Sequence, residues 1–170
     1  MLSVVRPGGR ASERFEETLA YALEKHCFSV TTCLPAPIEN RRLLFAVPLN
    51  ESGINSAYYQ LLAFLRTHPG SLKGCVGGVL VDGPGDLYTK SLGRELALAA
   101  SLAGCTFPGR PLVEATGDLR NFTVQAKNAG CSLEKAYRLA AADLVDRVCT
   151  FAPPRHKRPR LLVLHASSRA

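Results

Sequence analysis

The sequence has no apolar run that approaches the roughly 18 consecutive residues needed by a membrane-spanning helix. Its opening segment, MLSVVRPGGR, lacks the charged start and the long apolar stretch of a secretory signal. These two absences predict a soluble, cytoplasmic protein with no membrane partner. The chain of 170 residues, 46% hydrophobic and 21% charged, has the composition of one globular domain with its own core.

Closely spaced cysteine pairs are also missing. The six cysteines stand at 27, 33, 75, 105, 131 and 149, and no two are two to four residues apart. This spacing does not suggest a zinc knuckle. An even count in a chain without a secretory signal does not imply disulfides either, so we expect mostly buried free thiols.

Positive charge is scarce outside the end of the chain. The formal net charge is +7, but residues 151–170 contribute +5 of it and contain no acidic side chain. Residues 1–150 carry 16 basic and 14 acidic side chains, a net charge of only +2. The basic excess is therefore a short tail, which makes nucleic acid an unlikely partner for the folded part.

Strand-like and helix-like segments alternate through residues 1–150. Near-continuous apolar runs such as LLFAVPL indicate strands buried on both faces, as in a parallel sheet. Apolar residues at helical spacing follow the capping residues Ser12, Ser52, Thr89 and Ser132. We expect strands at 2–5, 28–33, 43–49, 75–83 and 111–117 and helices at 13–25, at 53–66, between Thr89 and Gly104 and after Ser132, while residues 117–130 are ambiguous.

This order predicts an α/β fold, a three-layer sandwich with a mainly parallel sheet and helices on both faces. One connection does not match the pattern. Neighbouring parallel strands need a crossover of about a dozen residues or more, and LPAPIENRR, between the second and third strands, supplies nine. Either the expected helix has shrunk to an irregular crossover or these two strands are arranged differently.

Three loops follow strands of the predicted sheet and lead into helices. They are RPGGRAS, PLNESGIN and DGPGDLYT, all rich in glycine, proline and small polar residues. Ligands of open parallel α/β sheets bind beyond the carboxyl ends of the strands, where helix N-termini offer free N–H groups. These loops are therefore predicted to enclose a phosphorylated planar ligand.

Three segments carry a resemblance to a known family. VPLNESGINSAYYQLLAFLR, LKGCVGGVLVDGPGDLYTKSLGRELALAASLAGCTFPG and LLVLHASSRA resemble, in turn, the flavin-side turn, the fourth strand with its glycine-rich loop, and the first strand with its Ser-x-Arg phosphate loop of the flavodoxin-like NAD(P)H-dependent FMN reductases. The resemblance implies a flavodoxin-like sheet, bound FMN, NAD(P)H as electron donor and a homodimer. The chain is similar to such an enzyme or to one domain of a tandem member.

The resemblance also assigns roles to loop residues. Arg10 and Ser12 would contact the phosphate of the FMN. Residues of the other two loops would lie along the flavin ring: Pro48, Leu49, Asn50, Glu51, Ser52, Asp82, Gly83, Pro84, Gly85, Asp86 and Tyr88. No side chain is assigned to proton transfer or to a metal, because in such enzymes the flavin carries the hydride chemistry.

The main alternative is a non-catalytic module of the same fold, used for dimerisation or regulation without flavin. The first loop favours this alternative, since it offers one hydroxyl group and is followed by Glu13, Glu16 and Glu17, which repel a phosphate. Fold alone does not decide between the two hypotheses.

The end of the chain has three interpretations. Residues 151–160 are a linker, to judge by their prolines and basic residues, and Leu161–Leu164 reads as a further strand. This strand in residues 161–170 begins a second flavodoxin-like domain, replaces the first strand in a circularly permuted fold, or lies at a sheet edge without a ligand role.

Overall fold

The computed structural model describes residues 1–34, 36–50, 52, 54–85 and 88–152. The predicted linker, apart from its first residues, and the predicted last strand lie outside these ranges. The described residues form one five-stranded, fully parallel sheet with the strand order β2-β1-β3-β4-β5. Its strands are β1 (Leu2–Val5), β2 (Phe28–Thr31), β3 (Arg42–Pro48), β4 (Val76–Asp82) and β5 (Leu112–Ala115).

Helices cover both faces of the sheet, as the alternating sequence predicts. They are α1 (Glu13–Leu23), α2 (Ser56–Thr67), α3 (Thr89–Leu102), α4 (Thr123–Ala129) and α5 (Leu133–Thr150), with a short 3₁₀ turn at Arg120–Phe122 before α4. One apolar cluster joins α1, α4 and α5 to the sheet, and a second joins α2 and α3 to the opposite face. The three-layer α/β sandwich is therefore confirmed.

The centre of the sheet is the best packed part of the molecule. Strand β4 is buried along its whole length and β3 from its second residue onward. Two glycines of β4 let the segment after α3 and helix α5 approach the strand closely on opposite faces. A Cβ atom on Gly77 would lie 2.7 Å from Cys105 Sγ, and one on Gly78 would lie 2.9 Å from Leu144 Cδ1 and Val148 Cγ2.

The short connection after β2 is explained by the strand order. Strand β1 lies between β2 and β3, so the nine-residue segment crosses β1 instead of joining neighbouring strands. It crosses without a helix among its described residues, held by the N–H groups of Ile38 and Asn40, which donate to the carbonyls of Ser71 and Lys73. Leu34 and Ile38 of this segment pack with Val5, Leu43 and Phe45 in the apolar cluster on the α2–α3 face of the sheet. Both alternatives drawn from the sequence are therefore correct.

Several predicted boundaries need correction. Helix α1 ends at Leu23 instead of residue 25, and α2 begins at Ser56 because Asn55, and not Ser52, is its N-cap: Asn55 Oδ1 accepts the N–H of Tyr58 at 3.1 Å. Thr89 is the first residue of α3, and the cap position belongs to Tyr88, whose φ is +73°. Most predicted strands extend one or two residues too far at an end.

Candidate functional site

A cleft opens at the carboxyl end of the sheet, where the loops after β1, β3, β4 and β5 meet. Its volume is about 770 Å³, within the range of about 300–1,000 Å³ that is usual for small-molecule sites. It lies beside β1 and β3, between which the strand order reverses, and ligands of open α/β sheets bind at such points. The cleft is lined by Arg10, Ala11, Ser12, Glu13, Arg14, Leu49, Asn50, Ser52, Asp82, Pro84 and Gly117.

The first turn of α1 forms one wall of the cleft. Ser12 is its N-cap: Ser12 Oγ accepts the N–H of Phe15 at 3.2 Å and lies 3.4 Å from Asp82 Oδ1, to which its hydroxyl donates. Glu13 and Arg14 follow, and their backbone N–H groups have no acceptor among the described residues. This wall therefore presents two free backbone donors and the positive end of the helix dipole.

A buried ion pair forms the floor of the cleft. Asp82, at the end of β4, is only 4% exposed and binds the Arg14 guanidinium in a two-point contact, with Nε–Oδ2 and Nη2–Oδ1 distances of 3.1 and 2.8 Å. Arg14 Nη1 also donates to the carbonyl of Gly117 at 2.8 Å. One side chain thus joins the start of α1 to the ends of β4 and β5.

Tyr137 of α5 lies beneath this ion pair. It is fully buried, and its hydroxyl has no partner with regular hydrogen-bond geometry in the described part of the chain. Burial raises its pKa well above the ordinary value, and the nearby Asp82 carboxylate raises it further. The Tyr137 hydroxyl therefore stays protonated, close to the Asp82 carboxylate and without a regular hydrogen bond among the described residues.

The loop after β3 is fixed by two asparagines. Asn50 Oδ1 accepts the N–H groups of Ser52 and Ile54 at 3.0 and 2.9 Å, which closes a turn at the cleft wall. Asn55 Nδ2 donates to the Pro48 carbonyl at 2.8 Å. A Cβ atom on Gly9 would lie 3.0 Å from Asn55 Nδ2, so the loops after β1 and β3 are in close contact.

The loops after β4 and β5 are also joined. The N–H of Gly117 donates to the Gly85 carbonyl at 3.2 Å, and a Cβ atom on Gly117 would collide with the Pro84 carbonyl. Glycine is needed at 117 because the two backbones approach so closely. The backbone at Pro84 and Gly85 and the backbone at Gly117 therefore form one rim of the cleft together.

The charges that line the cleft largely cancel. Arg14 is neutralised by Asp82, which leaves exposed Arg10 and exposed Glu13 as the remaining charges of the lining. The other two acids near the start of α1 are paired elsewhere: Glu16 with Arg6, and Glu17 with Arg138. The acidic crowding suggested by the sequence is thus reduced to Glu13 alone.

The structure brings many of the predicted ligand residues together, without testing their roles. Seven of them line the cleft: Arg10, Ser12, Leu49, Asn50, Ser52, Asp82 and Pro84. Four others do not line it. Pro48 ends β3, Gly83 packs behind Leu49, Gly85 is exposed on the rim, and Tyr88 is 64% exposed at the start of α3. Glu51 and Asp86 lie outside the described residues.

Sequence reasoning missed the lining residues Arg14 and Gly117, included Ala11 only as part of the loop RPGGRAS, and named Glu13 only as an acid that repels the phosphate. The sequence contained one signal for Arg14. A cation in the first turn of a helix interacts unfavourably with the helix dipole, so another contact is expected to stabilise it. Its partner Asp82 is 68 residues away along the chain, which local patterns do not reveal. Glu114, the carboxylate of β5, is half-buried and does not line the cleft.

Two other features are absent from the part of the chain that the structure describes. None of the helices in these ranges is both long and apolar enough to cross a bilayer. No group of three or more histidine, cysteine, aspartate or glutamate side chains there is arranged to hold a metal ion.

Comparison with known proteins supports the fold. No protein-family profile matches the chain, and no curated protein matches it in sequence. A flavodoxin from Streptococcus pneumonia TIGR4 superposes with a TM-score of 0.54 at 10% identity, over 86% of this chain and 98% of that one. A short-chain flavodoxin associated with a non-canonical PDU bacterial microcompartment gives 0.55 at 16% identity, over 87% and 99%. The chain therefore has a flavodoxin-like fold, as its sequence predicts.

Proposed function

We propose that the cleft binds FMN and that the chain is an NAD(P)H-dependent, flavodoxin-like oxidoreductase or one domain of it. One observation carries this proposal. Free N–H groups at the start of α1, the Arg10 side chain and the loops after β1, β3 and β4 all meet at one cleft beside β1 and β3.

The phosphate fits the start of α1. The backbone N–H groups of Glu13 and Arg14 and the positive helix end provide an anion site of the kind found in many nucleotide-binding proteins. Arg10 supplies the exposed cation of the lining, while Gly8 and Gly9 add no side chain to the loop. The Glu13 carboxylate repels the phosphate, so we expect the chain to bind FMN with moderate affinity.

The ring fits between the loops after β3 and β4. Leu49 and Pro84 offer apolar walls, and the turn held by Asn50 presents backbone polar groups at the edge. Neither wall contributes a charge among its described lining residues, which suits an uncharged flat ring better than a second phosphate. The nicotinamide ring of NAD(P)H would enter through the part of the cleft that the flavin leaves open.

FMN, when bound, would supply the hydride chemistry. The chain's own residues would bind and orient it. The Arg14–Asp82 pair would hold the loops after β1, β4 and β5 at fixed spacing, and Leu49 and Pro84 would exclude water from one side of the ring. Proton transfer by a side chain is not required of this cleft.

The test is a titration of the full chain with FMN, followed by quenching of flavin fluorescence. We expect Arg10→Ala to weaken binding about tenfold, since a charge-assisted hydrogen bond contributes about 1.5 kcal/mol or more. Glu13→Gln should tighten binding by removing the repulsion. Arg94→Ala, an exposed arginine of α3 that does not line the cleft, is the matched control and should bind like the parent.

The redox part of the proposal needs a second measurement. NADPH or NADH added without oxygen to the FMN-loaded chain should bleach the flavin absorbance, and the faster donor is the preferred one. If FMN binds with the expected mutant pattern but neither donor bleaches it, the oxidoreductase assignment is wrong and the flavin assignment stands.

A specific observation favours a second candidate, a non-catalytic flavodoxin-like module for dimerisation or regulation. The Arg14–Asp82 pair neutralises the partly buried cation of the lining, and the exposed charges of Arg10 and Glu13 cancel. Absence of FMN binding at millimolar concentrations would support this module and reject the flavin proposal.

A further inference from the structure

The buried carboxylate on the floor of the cleft has more donors around it than it uses. Asp82 is 4% exposed, and both of its short contacts, at 3.1 and 2.8 Å, come from Arg14. Ser12 Oγ lies 3.4 Å from Asp82 Oδ1, beyond the usual range of about 2.5–3.0 Å for a hydroxyl donor. The Tyr137 hydroxyl also faces Asp82 but has no hydrogen bond of regular geometry among the described residues. Two hydroxyl donors thus lie beside this carboxylate without being fully used.

The unused hydroxyl of Tyr137 needs an explanation. Tyr137 is fully buried, and a buried polar group without a partner costs free energy, so nearly all such groups in folded proteins are paired. Burial, followed by the Asp82 carboxylate, raises the pKa of Tyr137 well above its ordinary value, so the hydroxyl keeps its proton and can donate. The floor of the cleft therefore suits a second arrangement, in which Tyr137 donates to Asp82 and part of Arg14 serves another anion.

Arg14 has donors available for such an anion. Its guanidinium carries five N–H groups, and the described residues accept from three of its N–H groups: Asp82 accepts from Nε and Nη2, and Gly117 from Nη1. The Arg14 side chain lines the cleft and is 23% exposed. Arg14 is also the second residue of α1, and side chains of a helix lean toward its N-terminus. The guanidinium and the free backbone N–H groups at the start of α1 therefore face the same cleft.

We infer that Arg14 exchanges one partner when a phosphate group binds at the start of α1: its Nη2 leaves Asp82 for the phosphate, and the Tyr137 hydroxyl takes its place on the carboxylate. Arg14 Nε keeps its contact with Asp82 Oδ2, and the Ser12 hydroxyl moves closer to Oδ1. The inference rests on the proposed function in taking the start of α1 as the phosphate site. It adds the three side chains that respond to the phosphate.

The exchange explains how a phosphate is accommodated beside a buried carboxylate. Ser12 caps α1 and lies 3.4 Å from Asp82, so a phosphate at the helix start is close to the Asp82 charge. A buried charge that loses its partner is costly, but a carboxylate has about four acceptor positions, which the two hydroxyls can fill. Arg14 then lies between the two anions and reduces their repulsion. Because Arg14 and Ser12 both stay attached to Asp82, the loops after β1 and β4 keep their spacing.

The charge of the ligand group decides whether the exchange takes place. A phosphate monoester carries a charge of about −1.5 to −2 at neutral pH and three strong acceptor oxygens. These oxygens can accept from Arg14 Nη2 and from the backbone N–H groups of Glu13 and Arg14, and such charge-assisted bonds to phosphate are strong. A carboxylate ligand has one negative charge and two oxygens. We therefore expect phosphate, but not acetate, to draw Nη2 away from Asp82.

The first test titrates the full chain with inorganic phosphate at constant ionic strength and follows the unfolding temperature, which rises when the folded state binds the ion. We expect phosphate to raise it and acetate to leave it unchanged. Asp82→Asn removes the competing carboxylate, so it should tighten phosphate binding about tenfold, the equivalent of one charge-assisted hydrogen bond. Adding Arg14→Ala to Asp82→Asn should abolish this gain, because the released guanidinium provides it.

Two comparisons control this test. Arg94→Ala, at an exposed arginine of α3 that does not line the cleft, reports on the general loss of one positive charge and should bind phosphate like the parent. The double variant removes both charges of the Arg14–Asp82 pair, so it leaves no buried charge without a partner and the chain can still fold. Equal phosphate affinities of Asp82→Asn and the double variant overturn the inference.

The second test uses Tyr137→Phe, which removes the hydroxyl and keeps the ring. Without phosphate this variant should unfold at the parent temperature or slightly above it, because the hydroxyl has no regular partner there. It should weaken phosphate binding about tenfold in the parent, where the hydroxyl bonds a charged group after the exchange. In the Asp82→Asn background it should have little effect, since no carboxylate remains to be satisfied. Equal weakening in both backgrounds, or none in the parent, overturns the role of Tyr137.

FMN titrations of the same variants separate this inference from the proposed function. If phosphate binds with the expected pattern and FMN does not bind, the flavin assignment is wrong and the exchange at Arg14 stands. If FMN binds the parent but binds Asp82→Asn and the double variant equally well, the exchange is wrong and the flavin assignment stands. A parent chain that responds to neither phosphate nor FMN overturns both.

Discussion

Strands β2 and β4 belong to one sheet but are built in opposite ways. Strand β4 has seven residues, all buried, two neighbouring strands and a glycine pair that admits α5 on one face and the segment after α3 on the other. Strand β2 has four residues, mostly exposed, and one described neighbour. The central strands therefore pack the core and end in the cleft, whereas β2 contributes little to the core.

The largest loss of stability is expected from truncation of a side chain at the centre of the sheet. Phe45 of β3 is fully buried among the residues that α2 and α3 cover. Phe45→Ala removes most of an aromatic ring from a packed core and should lower the free energy of unfolding by about 3–5 kcal/mol. Denaturant unfolding followed by circular dichroism measures this loss. A change below about 1 kcal/mol would mean that the centre of the sheet is packed no better than its edge.

The ion pair at the end of β4 should give the next largest effect. Asp82→Ala leaves the partly buried Arg14 guanidinium without its carboxylate, and loss of one member of a buried pair costs about 3 kcal/mol or more. Because Arg14 is 23% exposed and can still reach water, we expect a value near the lower limit. Arg66→Ala, which breaks the exposed pair with Glu95, is the control and should cost less than about 1 kcal/mol. Equal losses for the two variants would contradict a structural role for the Asp82 pair.

The glycine pair of β4 makes a third prediction. Gly78→Ala would place a Cβ atom 2.9 Å from both Leu144 and Val148, so α5 must shift or the side chains must leave their preferred rotamers. We expect a loss of about 1–3 kcal/mol, as for other overpacked cores. Gly8→Ala, with open space around its Cβ position, should be nearly neutral by the same unfolding measurement. A neutral Gly78→Ala variant would show that α5 does not pack this closely on β4.

The same contrast explains what the sequence could predict. Strands β3 and β4 are recognisable because long apolar runs report burial on both faces, and the cleft follows from the rule that loops at the carboxyl ends of parallel strands meet. The helix start at Asn55 was missed because several polar residues there can act as caps, and only the contact of Asn55 with Pro48 selects one. Arg14–Asp82 and Gly85–Gly117 are contacts between distant segments, which periodicity and spacing do not encode.

The smallest effect is expected at the edge. Val30 is 55% exposed on β2, so Val30→Ala removes little buried surface and should change the free energy of unfolding by about 0.5 kcal/mol or less. Denaturant unfolding followed by circular dichroism measures this change. A loss as large as that of Phe45→Ala would instead mean that Val30 packs as closely as a central residue, and β2 would then resemble β4 rather than contrast with it.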